Sequence, residues 1–430
     1  MNYEKPNLAL FGGNPVVKNC FKPFNHIGIE EKNAVLEVME SGVLSKFLGV
    51  WHDDFFGGPK LRQFEKLFAE KFKVKHAIAV NSSTSALISA IGAIDIQPGD
   101  EVIVSPWTMC ASATAILHWN AIPVFADIEP HTFNIDPESI RKNITKKTKA
   151  IMAVDIFGHS ANINSLKEIA IEHDLKIISD TSQSPGALYE GNFAGTITEI
   201  GCFSLNYHKH IHTGEGGVLV TNDDELCERL QLIRNHAEAV VEAKGYKNLS
   251  NMIGYNFRLG EIESAIGLEQ LKKLSRIVKR RQEIANILSR GLKDLEGLNV
   301  PLVRENCTHA YYVYPLTIDS DKLEIKSKLI SKALAAEGIE GFSSKYVNLH
   351  LLPIFQEKIA YGKGGFPWNS ELCDRNINYD YGICPVAEGM QDNKYLGFSM
   401  CLNDLSNQDA ENIVNAFHKI WSNLDLLRNI

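Results

Sequence analysis

The chain has 430 residues, of which 44% are hydrophobic and 22% are charged, as in an ordinary globular protein. This length allows one large domain with a substantial core and a smaller second domain. The formal net charge of −8 argues against nucleic acid or an anionic membrane surface as the main partner, since both attract positively charged proteins. Phosphate groups must therefore be bound by a local site.

The termini and the cysteines indicate where the protein works. The N-terminus shows no basic segment followed by a long apolar run, the pattern of a secretory signal peptide. No window contains the roughly 18 consecutive apolar residues that a membrane helix needs. The eight cysteines are scattered and never form Cys-x-x-Cys, which favours free thiols over disulfides or a zinc site. We expect a cytoplasmic protein without a bound metal.

Short segments precede the first regular pattern. Residues 8–16 form an apolar arm punctuated by glycine, and the acidic, aromatic segment 46–58 indicates a loop that either packs or acts as a lid. A helix is predicted from Pro59, because apolar residues then recur at steps of three and four.

Strands and helices alternate over the next part of the chain with short connections. This pattern is typical of a mostly parallel sheet that is covered by helices on both faces. Helices are predicted over residues 83–94 and 164–173. About seven strands are predicted, over residues 77–80, 101–105, 122–126, 150–155, 176–180, 200–205 and 217–221. The fold class is therefore α/β.

The C-terminal part has a more helical and charged composition. Apolar residues recur at helical spacing from about residue 259 to residue 295, which indicates a long helix in a core or a subunit interface. A strand-like run at residues 310–316 and helical runs at residues 325–337 and 407–424 follow. We assign residues 1–28 to an N-terminal arm, residues 29–275 to a large α/β domain and residues 276–430 to a smaller α+β domain.

The stretch 204–217 is the strongest candidate for chemistry, because it places one lysine, Lys209, between two predicted buried strands. Poor solvation lowers the pKa of an amine toward the range in which it is a nucleophile, as a Schiff-base lysine requires. A solvated lysine on a surface loop is the plain alternative, and taken alone the commoner one. Three histidines, the Ser204 hydroxyl and a glycine-rich turn in the same stretch favour a small polar pocket.

Two further motifs follow predicted strands, and ligands of open α/β sheets bind at the carboxyl ends of the strands. Ser83 and Thr84 open a helix, where hydroxyls and backbone N–H groups suit a phosphate, although ordinary capping would explain one serine. Asp180 ends another strand and either caps a helix or holds a positive partner such as a protonated pyridine nitrogen. Together with Lys209, these groups are what pyridoxal 5′-phosphate (PLP) requires.

The order of these motifs resembles that of the DegT/DnrJ/StrS family of PLP-dependent aminotransferases, which act mainly on keto-sugars. The resemblance runs from residue 8 to about residue 417, and its most specific pieces are residues 81–87, 180–187, 204–217 and 254–258. It implies a subunit of PLP fold type I, which is aspartate-aminotransferase-like. It also implies a homodimer with shared active sites.

The resemblance implies a role for each residue that matches the family motifs. Lys209 would form the Schiff base with PLP, and Asp180 would pair with the pyridine nitrogen. Gln183 would lie against the ring or its phenolic oxygen. The phosphate would be held by three hydroxyl residues of one subunit and by an asparagine of the other, namely Ser204, Ser83, Thr84 and Asn256.

The sequence departs from the family pattern at several of these positions. Ser83 stands where the family usually has glycine, and histidines flank Lys209 on both sides. Met109 follows Thr108 where an aromatic residue normally stacks on the cofactor. A thioether packs on a ring with less fixed geometry, so either Met109 or the nearby Trp107 is the candidate for stacking.

The predicted reaction is amino transfer from L-glutamate or L-glutamine to a ketone on a sugar or sugar-like ring. A nucleotide-linked keto-sugar ranks first as the acceptor. The arm at residues 8–16 and the run 384–388 resemble the branch with cyclitol (inosose) aminotransferases, which is the alternative. A PLP-dependent sugar dehydratase and a non-catalytic PLP-binding sensor are alternatives of other classes. The presence of Lys209 favours transamination, since dehydratases of the family replace this lysine with histidine.

Overall fold

The computed structural model describes residues 7–373 and 375–428. The first six residues of the predicted arm, on which the signal-peptide argument rests, lie outside the described residues, as do position 374 and the last two residues. The strands in chain order are β1 (His76–Val80), β2 (Glu101–Val104), β3 (Ile122–Phe125), β4 (Thr148–Val154), β5 (Lys176–Asp180), β6 (Leu188–Tyr189), β7 (Asn192–Phe193), β8 (Ile200–Ser204), β9 (Gly217–Thr221), β10 (Leu298–Asn299), β11 (Tyr314–Ile318), β12 (Phe342–Ser343) and β13 (Tyr395–Phe398).

The α-helices lie between and after these strands. In chain order they are α1 (Ile29–Ser41), α2 (Pro59–Phe72), α3 (Ser83–Ala93), α4 (Ala111–His118), α5 (Pro137–Asn143), α6 (Ile163–His173), α7 (Asp224–Arg234), α8 (Ala237–Lys244), α9 (Glu261–Leu292), α10 (Ser320–Leu323), α11 (Ser327–Ala336), α12 (Pro353–Gln356), α13 (Pro385–Gly389), α14 (Asn407–Trp421) and α15 (Leu424–Arg428). The predicted loop at residues 46–58 contains one turn of 3-10 helix, Asp53–Phe56. No helix among the described residues is both long and apolar enough to cross a membrane.

The central sheet has seven strands in the order β1-β9-β8-β5-β4-β2-β3. Strand β9 is antiparallel to both of its neighbours, β1 and β8, and all other neighbouring pairs are parallel, so the predicted mostly parallel sheet is confirmed. The strands β2 and β3 are buried along their whole length. Burial on both faces explains why such strands read as continuous apolar runs in the sequence.

A second sheet, antiparallel and in the order β10-β11-β13-β12, lies in the C-terminal part. Its core includes Leu8 of the N-terminal segment together with Leu288 of α9 and Phe417 of α14. The same helix α9 contributes Leu271 to the core beneath the large sheet. Helix α9 thus runs without a break through position 276, where the small domain was predicted to begin.

The strand predicted over residues 310–316 begins only at Tyr314, so that part of the prediction was wrong. The N–H groups of Ala310 and Val313 donate instead to the carbonyls of Gly158 and Phe157, at 2.7 and 3.1 Å. These bonds tie residues 310–313 to the loop after β4 of the central sheet. The predicted helix over residues 407–424 likewise ends at Trp421 and is followed by the short α15.

A buried ion pair joins α2 and α7 across strand β1. The Arg234 guanidinium is fully buried and contacts Glu65 at 2.5 Å. The Glu65 carboxylate accepts from the N–H of Ala79 at 2.8 Å, and Arg234 donates to the carbonyl of Ala79 at 3.1 Å. Burial raises the pKa of Glu65, and the neighbouring Arg234 opposes that shift. Each member of the pair therefore depends on the other.

We predict that Arg234→Met lowers stability by about 3–5 kcal/mol, because it leaves a buried carboxylate without its partner. The double variant Arg234→Met/Glu65→Gln removes both charges and should recover most of this loss. Urea unfolding of the two variants and the unchanged protein measures the difference. A double variant as unstable as the single one would show that packing, and not the unpaired charge, sets the cost.

Candidate active site

A cavity of about 200 Å³ opens where β5 and β8 end and α3 begins. It therefore lies at the carboxyl edge of the sheet, where α/β proteins bind their ligands. Side chains from five separate segments meet there, although they are far apart in the chain. Its lining includes seven of the eight predicted site residues, namely Ser83, Thr84, Met109, Asp180, Gln183, Ser204 and Lys209.

Lys209 presents a buried amine to this cavity. The residue is only 7% exposed, and its Nζ lies 4.4 Å from the ring centroid of Tyr312. No hydrogen bond or ion pair holds Nζ among the described residues. Burial lowers the pKa of Lys209, and the charge of Asp180 opposes this shift. This environment favours the unprotonated amine, which can act as a nucleophile or as a base.

The histidines beside Lys209 differ in their surroundings. His208 lines the cavity, and burial, followed by the charge of Lys209, lowers its pKa to about 4. His210 is fully buried, and its Nε2 lies 2.8 Å from the carbonyl oxygen of Ala310. Burial lowers its pKa well below the ordinary value. Both imidazoles are therefore neutral at pH 7 and add no positive charge beside the amine.

Asp180 is held in place by hydroxyl and amide donors. Its Oδ2 accepts from the hydroxyl of Ser112 at 2.7 Å, and its Oδ1 accepts from the N–H of Ser182 at 3.2 Å. The hydroxyl of Thr108 lies 2.8 Å from that of Ser112 and completes the chain of donors. These contacts orient the carboxylate without neutralising it, so that it can hold a positively charged nitrogen.

Hydroxyl groups gather at the other end of the cavity, at the N-terminus of α3. The hydroxyls of Ser83 and Ser182 lie 2.7 Å apart, and Ser204 and Thr84 line the same end. The first N–H groups of a helix have no acceptor within it and suit a bound anion. Ser82 caps the helix by accepting from the N–H of Ser85. Ser82 therefore provides the ordinary cap of α3. Capping does not explain the hydroxyls of Ser83 and Thr84.

Gln183 bridges the cavity to its aromatic surroundings. Its Oε1 accepts from the N–H of Phe157 at 2.8 Å, and its Nε2 donates to the hydroxyl of Tyr346 at 3.2 Å. Phe157 has a φ of 60°, an uncommon conformation for a residue with a side chain. The hydrogen bond from the N–H of Phe157 to Gln183 forms in this conformation and fixes both residues.

Met109 and Trp107 differ sharply in position. Met109 is 59% exposed and lines the cavity, whereas Trp107 is fully buried and absent from the lining. The Trp107 indole donates to Asn348 at 2.6 Å and stacks on Phe133, with 5.7 Å between the ring centroids. Trp107 is therefore a core residue, and Met109 is left as the side chain at the cavity mouth.

Asn256 is the one predicted site residue that does not line the cavity of its own chain. Its side chain is exposed, and its backbone carbonyl accepts from the amide of Asn81 at 3.4 Å. The neighbouring Arg258 donates to Asn235 at 2.9 Å. The segment is thus packed beside the end of β1, and the exposed Asn256 side chain forms no part of the lining of the Lys209 cavity.

Sequence reasoning missed several residues that shape the site. Ser112 lies in the first turn of α4, whereas Thr108 precedes that helix, so no helical spacing in the sequence linked the two hydroxyls. Asn206 donates to Glu215 at 2.9 Å and closes the turn around Lys209. Tyr312 and Tyr346 come from the C-terminal part of the chain, and no local pattern links them to the lysine.

The chain is similar to a known protein family and to individual proteins of related sequence. Residues 27–392 match the DegT/DnrJ/EryC1/StrS aminotransferase family. The spore coat polysaccharide biosynthesis protein SpsC of Bacillus subtilis is 35% identical over 81% of this chain and 89% of its own. GDP-perosamine synthase of Vibrio cholerae is 32% identical over 81% of this chain and 92% of its own. A Streptomyces kanamyceticus protein, provisionally named an L-glutamine:3-amino-2,3-dideoxy-scyllo-inosose aminotransferase, is 29% identical over 97% of each chain.

Solved structures agree with the sequence comparison. An aminotransferase from Psychrobacter cryohalolentis superposes with a TM-score of 0.80 at 30% identity, over 94% of this chain and all of the other. DesV of S. venezuelae, solved in complex with a ketimine intermediate, superposes with a TM-score of 0.75 at 28% identity, over 91% of this chain and 94% of its own. The fold is that of the PLP type I sugar aminotransferases.

The cavity itself fits PLP on three counts. A buried amine without a hydrogen-bond or ion-pair partner in the described part of the chain, an oriented carboxylate and a hydroxyl-lined helix N-terminus occupy the same cavity. These groups match an aldehyde, a pyridine nitrogen and a phosphate, the three reactive or charged parts of the cofactor. The chain belongs to the DegT/DnrJ/EryC1/StrS aminotransferase family, whose members are PLP-dependent sugar aminotransferases.

Proposed function

We propose that the enzyme transfers the amino group of L-glutamate or L-glutamine to the ketone of a nucleotide-linked sugar. The observation that carries the proposal is the buried amine of Lys209, which has no hydrogen-bond or ion-pair partner among the described residues and faces the same cavity as Asp180. The name of the V. cholerae relative, GDP-perosamine synthase, supports a nucleotide-linked sugar. A dehydratase of this family would be expected to lack the lysine.

In this proposal the residues of the cavity have distinct tasks. Bound PLP would supply an electron sink for the bonds at the amino-bearing carbon. Asp180, held by Ser112 and Ser182, would keep a proton on the pyridine nitrogen. Ser83 and Ser204, together with Thr84 and the N–H groups of α3, would bind the phosphate. Gln183 would lie beside the ring, and Met109 would cover it from the cavity mouth.

Lys209 would act twice. Its Nζ would hold the cofactor covalently. As a free amine, the same Nζ would accept and return a proton as a general base and acid. Burial lowers the pKa of Lys209, so that a larger fraction of the amine is unprotonated at neutral pH than for a solvated lysine.

A cyclitol ketone is the second candidate acceptor. The S. kanamyceticus relative, which is named for an inosose, matches 97% of this chain, against 81% for the V. cholerae relative. The longer match to the S. kanamyceticus relative extends beyond residues 27–392, the part that matches the family. The cavity does not discriminate between the two acceptors, because each of its predicted site residues has a proposed role toward the cofactor and none toward the ring of an acceptor.

The enzyme is also proposed to be a cytoplasmic homodimer in which Asn256 reaches the phosphate of the other subunit. Asn256 is exposed and lies outside its own cavity. Helix α1 and the segment after it expose a set of large apolar side chains, which is typical of a subunit interface. These side chains are Ile29, Leu36, Met39, Val43, Leu44, Leu48, Val50 and Trp51.

The acceptor is tested by incubating the enzyme with glutamate or glutamine and a panel of keto-sugar nucleotides and inososes. Mass spectrometry should show an aminated nucleotide sugar, with one equivalent of the oxo acid for each product. An aminated inosose alone would establish the cyclitol alternative. A dehydrated sugar without stoichiometric 2-oxoglutarate would contradict amino transfer. The Lys209→Ala variant serves as the control for background reaction.

A second prediction concerns the close contact between β9 and the phosphate end of the cavity. A Cβ on Gly217 would lie 2.5 Å from the carbonyl oxygen of Ser82 and 2.8 Å from the nitrogen of Ser83. Gly217→Ala must therefore push the start of α3 out of place, and we expect PLP to bind about tenfold more weakly, the loss of about one charge-assisted hydrogen bond.

Fluorescence titration of the cofactor-free enzyme with PLP measures this affinity. Gly389→Ala is the matched control, since Gly389 has helical dihedral angles and no atom within 4 Å of an added Cβ. Equal affinities of the two variants would show that the hydroxyls near Ser83 do not hold the phosphate.

A third prediction tests the shared site, with hybrid dimers of two inactive variants. Lys209→Ala and an Asn256 substitution that blocks the phosphate pocket would each be inactive alone. In a hybrid dimer one site has both defects and the other has neither. Random pairing makes about half of the dimers hybrid, so activity should recover toward about a quarter of the unchanged enzyme.

Subunit exchange is verified by mass spectrometry of differently tagged subunits. Activity that stays at background despite verified exchange would place Asn256 in its own subunit's site or in none.

A further inference from the structure

A second hollow, which we call the strap pocket, lies between residues 24–26, one face of α9 and residues 400–405. Its volume is about 490 Å³, more than twice that of the Lys209 cavity. The two have no lining residue in common. Amino transfer as described above makes no use of the strap pocket, so its composition needs a separate explanation.

Arg281 is the most unusual residue of the strap pocket. It is only 5% exposed, and none of its three guanidinium nitrogens has a hydrogen-bond partner among the described residues. The guanidinium carbon lies 4.7 Å from the ring centroid of Phe24. Burial lowers its pKa to about 10, which still leaves the group charged at pH 7. A buried charge without a partner costs several kcal/mol, so an anion from outside the chain is expected to compensate it.

The rest of the pocket adds to this positive charge. Arg276 and Lys279 line it, are exposed and form no ion pair among the described residues. The two acidic residues of the lining already have cationic partners. Glu283 lies 3.4 Å from Arg280, which also lines the pocket, and Asp404 lies 2.9 Å from Lys22. Three cationic side chains therefore remain without a counter-charge, namely Arg276, Lys279 and Arg281.

The nature of the anion follows from charge and shape. A single carboxylate carries one negative charge, whereas a phosphate or diphosphate carries two or three and matches the three cations better. Guanidinium groups also bind phosphate oxygens with paired hydrogen bonds. The lining also contains apolar side chains, among them Phe24, Ile277 and Met400, which suit a ring attached to the phosphate.

We propose that the strap pocket binds a phosphorylated small molecule of the nucleoside diphosphate type. Its phosphates would contact Arg281, Arg276 and Lys279, and its ring would pack on Phe24 and Met400. Such a ligand has two possible sources, the nucleotide end of the sugar substrate or a separate nucleotide that regulates the enzyme. Binding itself does not depend on the amino-transfer proposal, because the pocket and the Lys209 cavity are lined by different residues.

The test is titration calorimetry of the PLP-loaded full chain with inorganic pyrophosphate and with UDP. PLP fills the phosphate end of the Lys209 cavity and so prevents binding there. Arg276→Gln/Lys279→Gln changes two exposed residues of the strap pocket and should weaken both ligands by about tenfold or more. The matched control is Lys272→Gln/Arg290→Gln, which removes two exposed cations of α9 outside the pocket and should leave both affinities unchanged.

A second variant addresses the buried residue. Arg281→Lys keeps a positive charge but loses the paired donors, and severalfold weaker binding is expected. Binding should also weaken as salt is raised, since the exposed cations are screened. No binding of either ligand to the unchanged enzyme, or equal affinities of the strap and control variants, would overturn the proposal. If Arg276→Gln/Lys279→Gln changes only the dissociation of the dimer, the proposal is also overturned, because a second subunit would then fill the pocket.

The two sources of the ligand give different kinetics. If the pocket holds the nucleotide end of the substrate, UDP inhibits competitively, and Arg276→Gln/Lys279→Gln raises KM with little change in kcat. If it holds a separate nucleotide, inhibition is noncompetitive and the variant relieves it. Either pattern supports the site. Failure of the substrate panel would leave the calorimetric result intact, so the two proposals fail separately.

Discussion

The amine of Lys209 is buried without an ion-pair partner among the residues that the structure describes, and much of the site is arranged around it. The connection between β8 and β9 carries the lysine, while the ring of Tyr312 covers its Nζ at 4.4 Å. Tyr312 is fixed because residues 310–313 bond to the loop after β4 instead of joining β11. The C-terminal part of the chain thus covers the amine of a lysine that lies on a connection of the central sheet.

Two carboxylates at the ends of neighbouring strands have different roles at this edge of the sheet. Asp155 is fully buried and accepts from the N–H of Ala161 and the hydroxyl of Thr181, at 2.9 and 2.7 Å. Burial raises its pKa to about 6, which those donors oppose. Asp180 lines the cavity instead and is only oriented by its donors. One acid therefore supports the loops, and the other is left for a ligand.

The sequence predicted those parts of the site that depend on local patterns. Lys209, Asp180 and Ser83 each follow a strand or open a helix, and the parallel sheet brings such positions to one edge. Tyr312 could not be placed, because its position depends on hydrogen bonds to Gly158 and Phe157, residues that lie far away in the chain. The first part of the strand predicted over residues 310–316 failed for the same reason: Ala310 and Val313 bond to the loop after β4, and pairing with β13 begins only at Tyr314.

The most direct test of this account is to trap the cofactor on the lysine. The PLP-loaded enzyme is reduced with borohydride and digested, and the peptides are mapped by mass spectrometry. The account predicts one phosphopyridoxyl group per subunit, on Lys209, and none in the Lys209→Ala variant. A label on another lysine, or retention of the label in that variant, would contradict the central claim that the buried amine holds the cofactor.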